Sequence, residues 1–192
     1  TDKPDMTTTT FLRLVLDYAD DLDEAVEIAQ SYDMHDSAGT SYHYMVADAS
    51  GRSAIFEWVA ADDDTDTDGS ARELRVTYND DDAAFGEVEA AADYQWVTNF
   101  VLEPNYYASD DAKKGLDRYN ELYTRLSATD GIVADESAAM DVLAAVGRRS
   151  WNNDDANTIT VHSVVYNLTD RVMYWVPNEN FDDASAWITY KL

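Results

Sequence analysis

The segment HYMVADASGRSAIFEW, residues 43–58, constrains this chain more than any other stretch. Ser50-Gly51 offers a turn between two runs rich in aromatic and β-branched residues, the signature of a hairpin. Neither run alternates strictly: Met45-Val46-Ala47 and Ala54-Ile55-Phe56 are apolar at successive positions. A strand with one face in water alternates, whereas a strand covered on both faces does not. The expectation is a hairpin of residues 42–47 and 53–60, with helices over one face and a second sheet over the other. Yet 39 acidic residues stand against 13 basic ones, giving a formal charge of -26. The composition points to solvated surface, whereas the hairpin points to deeply buried sheet.

That charge narrows the partners. A surface so acidic repels nucleic acid and anionic membrane, and neither is expected to bind. The excess is mostly Asp and Lys is scarce, a pattern that suits a salt-rich habitat or selection for solubility. Apolar residues make up 45% of the 192, enough for one domain with a real core rather than a disordered acidic tail. There is no Cys, so the chain has no disulfide, no zinc-thiolate site and no thiol nucleophile of its own. No cofactor is expected. No long apolar run suggests a membrane span. The first residue is Thr1 rather than Met, and the expectation is that further residues lie upstream.

Along the chain, residues 1–9 read as polar and loose. TFLRLVLDYA then places Phe11, Leu14, Val15 and Tyr18 at helical spacing. A second helix begins at DLDEAVEIAQSY, where Asp21 and Glu24 resemble a capping box and Val26 and Ile28 supply the apolar side. Residues 33–41 read as a loop. After the hairpin come an acidic loop at 61–70, a strand at RELRVTYN, another acidic turn, and a strand or strand end at YQWVTNFVL closed by Pro104. A helix is expected from Ser109, with Leu116, Tyr119, Leu122, Tyr123 and Leu126 inward. DESAAMDVLAAVG gives a shorter helix, capped by Asp135 and closed by Gly147. A second hairpin, TITVHSVVYNLTDRVMYWVP, turns at residues 168–170, and AWITYKL supplies a last strand. Helices, hairpin, strands, helices and hairpin in separate blocks point to an α+β fold with mainly antiparallel sheet. No linker divides residues 1–192 into two domains.

Several stretches carry potential chemistry. DTDTDG, with Asp64, Asp66, Asp68 and Gly69, opens like a calcium loop, but its twelfth position is Arg75 where a bidentate Glu belongs. A solvated hairpin loop is the default there, with an incidental weak cation site as the alternative. His162 and Ser163 are neighbours on a strand, so their side chains point to opposite faces and cannot pair in a triad. His35 and His43 lack metal-ligand spacing. Thr1 could act as an N-terminal nucleophile with its own amine as base, but TDKPDMTTTT is too loose to hold one. Asn99, in WVTNF, puts a carboxamide at the end of an apolar stretch, where it must find partners. Such an amide is a good oxyanion donor, or a turn cap. Arg118, in LDRYNELY, lies at the margin of an inner helix face, where an ordinary surface ion pair is the default.

Taken in order, TTTTFLRLVLDYADDLDEAVEIAQSYDM, HYMVADASGRSAIFEW, YQWVTNF, GLDRYNEL and HSVVYNLTDRVMYW resemble the C-terminal part of the choloylglycine hydrolase and penicillin V acylase family. The likeness runs over residues 8–175. It implies a four-layer αββα N-terminal-nucleophile hydrolase fold, of which this chain is the C-terminal part. In that family an N-terminal Cys, exposed by processing, attacks a linear amide with its own α-amine managing the proton. The resemblance places an oxyanion donor on Asn99 and, on Arg118, a cation that braces the nucleophile site. It implies a small-molecule amide substrate of the bile-salt, penicillin V or N-acyl amino-acid type. It also implies an upstream N-terminal segment carrying the Cys, without which these 192 residues are inactive. A bacterial or archaeal cytoplasm is the expected setting, with an extracytoplasmic one open, as is assembly into a homo-oligomer. The alternative is a non-catalytic acidic domain that binds a ligand or cation.

Overall fold

The computed structural model describes residues 3–35, 42–60, 72–79, 94–103, 106–108, 110–149 and 159–191. They cluster into two compact units, Thr1–Leu116 and Asp117–Leu192. The acidic loop at 64–69, Pro104 and Thr1 lie outside the described residues.

In the first unit, helix α1 (Thr8–Tyr18) and helix α2 (Leu22–Gln30) follow one another closely. Asp21 caps α2 as its sequence suggests, accepting the Glu24 N–H at 3.0 Å. The Glu24 carboxylate reaches back to the Asp20 N–H at 2.8 Å, one residue earlier than a regular capping box. The faces are narrower than the spacing predicts. Phe11 is fully buried, but Tyr18, the last residue of α1, lies beyond the core and is exposed. In α2 the buried stripe is Leu22, Ala25, Val26 and Ala29, with Ile28 at its margin.

Two stretches expected to be loop are tied together. Strand β1 (Asp5–Met6) pairs in parallel with β2 (Asp33–Met34), and both methionines are buried. Such short strands have no period to read; their pairing depends on a partner far along the chain.

The opening hairpin forms as β3 (His43–Ala47) and β4 (Ser53–Ala60), and β5 (Arg72–Tyr78) continues the antiparallel sheet in the order β3-β4-β5. Every described side chain from Ser53 to Val59 is buried, as a strand covered on both faces requires. Ala54, Phe56 and Trp58 point to one face and join the core of α1 and α2. Strand β3 departs from the expectation. It is the edge of the sheet, and Met45 is exposed. Gly51 takes φ +91° in the turn, and the Asp48 carboxylate accepts the Ser50 N–H at 2.8 Å and the Leu22 N–H at 3.2 Å. The turn is thereby fastened to the start of α2. Arg52 reinforces this with a bidentate pair to Asp23 at 2.7 and 2.9 Å.

The second unit follows the same plan. Helix α3 (Leu116–Ser127) begins seven residues later than expected, because Gly115 at φ +89° turns the chain just before it. Tyr119 and Leu122 are its buried residues. Helix α4 (Glu136–Val146) is capped by Asp135, which accepts the Ala138 N–H at 2.8 Å. Strands β6 (His162–Asn167), β7 (Val172–Pro177) and β8 (Ile188–Lys191) form an antiparallel sheet in chain order. Met140 of α4 packs with Val176 and Phe181, flanked by Val165, Tyr174 and Trp187. Each unit is thus a layer of helix on an antiparallel sheet.

Candidate functional site

Residues 94–103 carry Asn99. The sequence predicts a strand there, and the structure corrects it: the segment forms no sheet ladder and bends at Asn99 and Phe100. Side chains supply what a ladder would have supplied. At its start, the Gln95 amide donates to the Thr77 carbonyl of β5 at 2.8 Å and accepts from the Ser53 hydroxyl of β4 at 2.8 Å. In the middle, the Thr98 hydroxyl donates to the Gly115 carbonyl at 3.0 Å. At its end, the Val101 N–H donates to the Tyr107 hydroxyl at 3.0 Å. The Leu102 and Glu103 N–H groups donate to the two oxygens of Glu57 at 2.8 and 3.1 Å. Trp96, Phe100, Val101 and Leu102 are buried between these ties.

The geometry follows from β4. Ser53, Ile55, Glu57 and Val59 alternate with the residues that face the helices, so they line the other face of the strand. Ser53 and Glu57 on that face bind the two ends of the segment. Glu57 is 2% exposed, a costly place for a carboxylate unless its oxygens are bonded. Besides the two amides, His43 Nδ1, directly opposite on β3, lies 3.3 Å from it. Glu103 reaches back to Arg75 of β5 at 3.4 Å, and Arg75 also pairs with Glu73.

Asn99 itself is exposed, on the bend between the tied ends. Arg118 belongs to the second unit, in the first turn of α3, and is partly buried. Burial pushes its guanidinium pKa below the ordinary value; Asp117 opposes that shift and Arg148 adds to it. Among the other basic residues, Arg149 lies 4.8 Å over the Phe181 ring and 3.4 Å from Asp182. The histidines have structural partners: His35 pairs with Asp5 at 3.0 Å, and His162 stands edge-on to Trp175 at 6.3 Å.

Sequence reasoning missed Glu57 and Gln95. The signal for Glu57 was present: a lone charge inside AIFEWVA, where a continuous apolar run predicts burial. A cavity between α2 and β5, lined by Lys3, Tyr32, Trp58, Arg72, Glu73 and Leu74, does not include Asn99. Among the described residues, no three His, Asp or Glu side chains are placed to hold a metal ion.

Residues 5–181 match the family model described as acyl-coenzyme A:6-aminopenicillanic acid acyl-transferase. No curated protein matches the chain.

Proposed function

Because the chain belongs to the acyl-coenzyme A:6-aminopenicillanic acid acyl-transferase family, within the N-terminal-nucleophile group of choloylglycine hydrolases and penicillin acylases, we propose that it is the C-terminal part of an enzyme cleaving linear amide C–N bonds. The fold proposed is the four-layer αββα type. Two antiparallel sheets, each with helix packed on it within its own unit, are the elements from which such a fold is built.

The nucleophile is a Cys thiolate supplied from outside these 192 residues, which contain no Cys. It attacks the amide carbonyl carbon, and the C=O electron pair moves onto oxygen. Asn99 donates its side-chain N–H to that oxyanion. Collapse breaks the C–N bond and the amine leaves with a proton carried by the nucleophile's own α-amine. Water then attacks the thioester and releases the acid; an amine acceptor in its place gives acyl transfer. Arg118 holds positive charge toward the nucleophile site.

The observation that carries this reading is the family match over residues 5–181; beside it, Asn99 sits on a bend whose two flanks are tied by side-chain hydrogen bonds. Preorganised donors of this kind contribute most when they cannot reorient as charge develops. The test uses the complete protein and its turnover of penicillin V, conjugated bile salts and N-acyl homoserine lactones. Transfer from an acyl-coenzyme A to 6-aminopenicillanic acid is assayed alongside. Asn99→Ala should lower turnover by about 10²–10³-fold with little change in stability, and Arg118→Ala should also impair it. Wild-type turnover in Asn99→Ala, together with a lowered melting temperature, would make Asn99 a turn cap and end the assignment.

A further inference from the structure

We propose that Glu57 is a positioning residue for the reaction: its buried carboxylate sets the pose of the Asn99 bend through the Leu102 and Glu103 amides. The proposal rests on the reading of Asn99 as oxyanion donor.

Two successive backbone N–H groups pointing the same way need two acceptor atoms side by side. A carboxylate offers them and a neutral amide does not, since one of its two heavy atoms carries hydrogens. Here each Glu57 oxygen takes one amide, at 2.8 Å from Leu102 and 3.1 Å from Glu103. The carboxylate comes from β4, the central strand of its sheet, with every described neighbour from Ser53 to Val59 buried. The anchor therefore stands on a strand buried along its described length, and it fixes the backbone three residues beyond Asn99. Gln95 fixes the other flank against β4 and β5.

This differs from ordinary core structure in what it leaves undone. The core beneath is closed by Trp96, Phe100, Val101 and Leu102, whose packing needs no charge. Glu57 also satisfies the buried Leu102 amide, so its loss costs stability, and the rate and exchange measurements below are what separate positioning from stability. The carboxylate adds a fixed backbone path. An oxyanion donor displaced by about 1 Å loses on the order of 10²-fold in rate, so the path bears on the chemistry.

Glu57→Gln keeps the volume and removes one of the two acceptors. In the complete protein, with penicillin V or glycocholate as substrate, whichever is hydrolysed faster, it should lower kcat by about 10–100-fold and leave KM within about twofold. Glu57→Asp keeps the charge but is one carbon short. It should fall between, and it serves if the Gln variant folds poorly. Because Glu57 acts through Asn99, the Glu57→Gln/Asn99→Ala double variant should be no slower than Asn99→Ala alone. Amide hydrogen exchange should quicken at residues 98–103 in Glu57→Gln, with β4 and β5 unchanged. Multiplicative rate losses in the double variant, a normal kcat in both Glu57 variants while Asn99→Ala is slow, or unchanged exchange at 98–103 would each overturn the proposal. Normal turnover in Asn99→Ala with quickened exchange in Glu57→Gln would overturn it too. That outcome places the fault in the Asn99 reading rather than in the clamp.

Discussion

Phe11→Ala should be among the most damaging substitutions in the first unit. Phe11 is the fully buried side chain that α1 supplies, at 0% exposure. Its ring meets Tyr44 edge-on at 4.9 Å and Trp58 edge-on at 5.5 Å, and leans on Phe56 at 6.0 Å. Phe→Ala in a packed core costs about 3–5 kcal/mol. Edge-to-face pairs are each worth about 0.5–1.5 kcal/mol beyond area, and two are lost here, which places this site near the top of the range, at about 5 kcal/mol. Against a typical stability of about 5–15 kcal/mol, that is a third or more of the whole. The assay is urea unfolding of the complete protein followed by tryptophan fluorescence. Leu16→Ala serves as control, because Leu16 is 78% exposed and on the same helix. The control should stay within about 0.5 kcal/mol of wild type. Amide exchange across 8–18 covers the case in which α1 undocks locally. A loss below about 1.5 kcal/mol in Phe11→Ala, with exchange in α1 unchanged, would refute the claim that this ring anchors the helix.

Charge sets two further outcomes. The hydrogen bonds from Ser50, and then those from Leu22 and Arg52, hold the Asp48 pKa below the usual carboxylate range against a partial opposing effect of burial. A depressed folded pKa stabilises the fold above the unfolded value, about 3.9, and that contribution is lost as pH falls through the folded value. The melting-temperature gap between wild type and Asp48→Asn should therefore shrink as pH drops from about 5 to about 2; a constant gap would refute the linkage. Self-repulsion at a formal charge of -26 should also make stability rise with salt. Between about 0.01 M and 1 M the screening length falls from about 30 Å to about 3 Å. A flat melting profile over that range would leave solubility as the role of the acids.

The features legible in the sequence are those that local chemistry decides. The apolar runs of β4, the Ser50-Gly51 turn, and the Asp21 and Asp135 caps all form where their residues put them. The hidden features depend on partners distant in the chain. The β1–β2 pairing joins two dipeptides with no pattern of their own. Trp96 and Val97 read as strand because they are apolar. The segment is instead tied on either side of them, the Gln95 side chain to Ser53 and the backbone N–H groups of Val101, Leu102 and Glu103 to Tyr107 and Glu57, and no local rule reports such ties. The sequence puts the start of α3 too early because DDAKK is as helix-compatible as LDRYNEL; only the left-handed Gly115 marks the boundary. Asn99 and Arg118 are marked by resemblance to a family, and nothing in their local sequence singles out either role.

The parallel clasp of β1 on β2 has a kinetic consequence. It turns α1 and α2 from a pendant arm into a ring whose two ends are held together at Met6 and Met34. Fraying that begins ahead of Asp5 meets a side chain only 2% exposed before it reaches the first turn of α1. Lengthening the ring costs little, because doubling a loop adds only about 0.6 kcal/mol of closure entropy. Residues inserted between Tyr18 and Leu22 would lengthen the circuit and leave its fastening untouched. That short turn is where a reporter or cleavage site could enter without releasing the helices from the sheet.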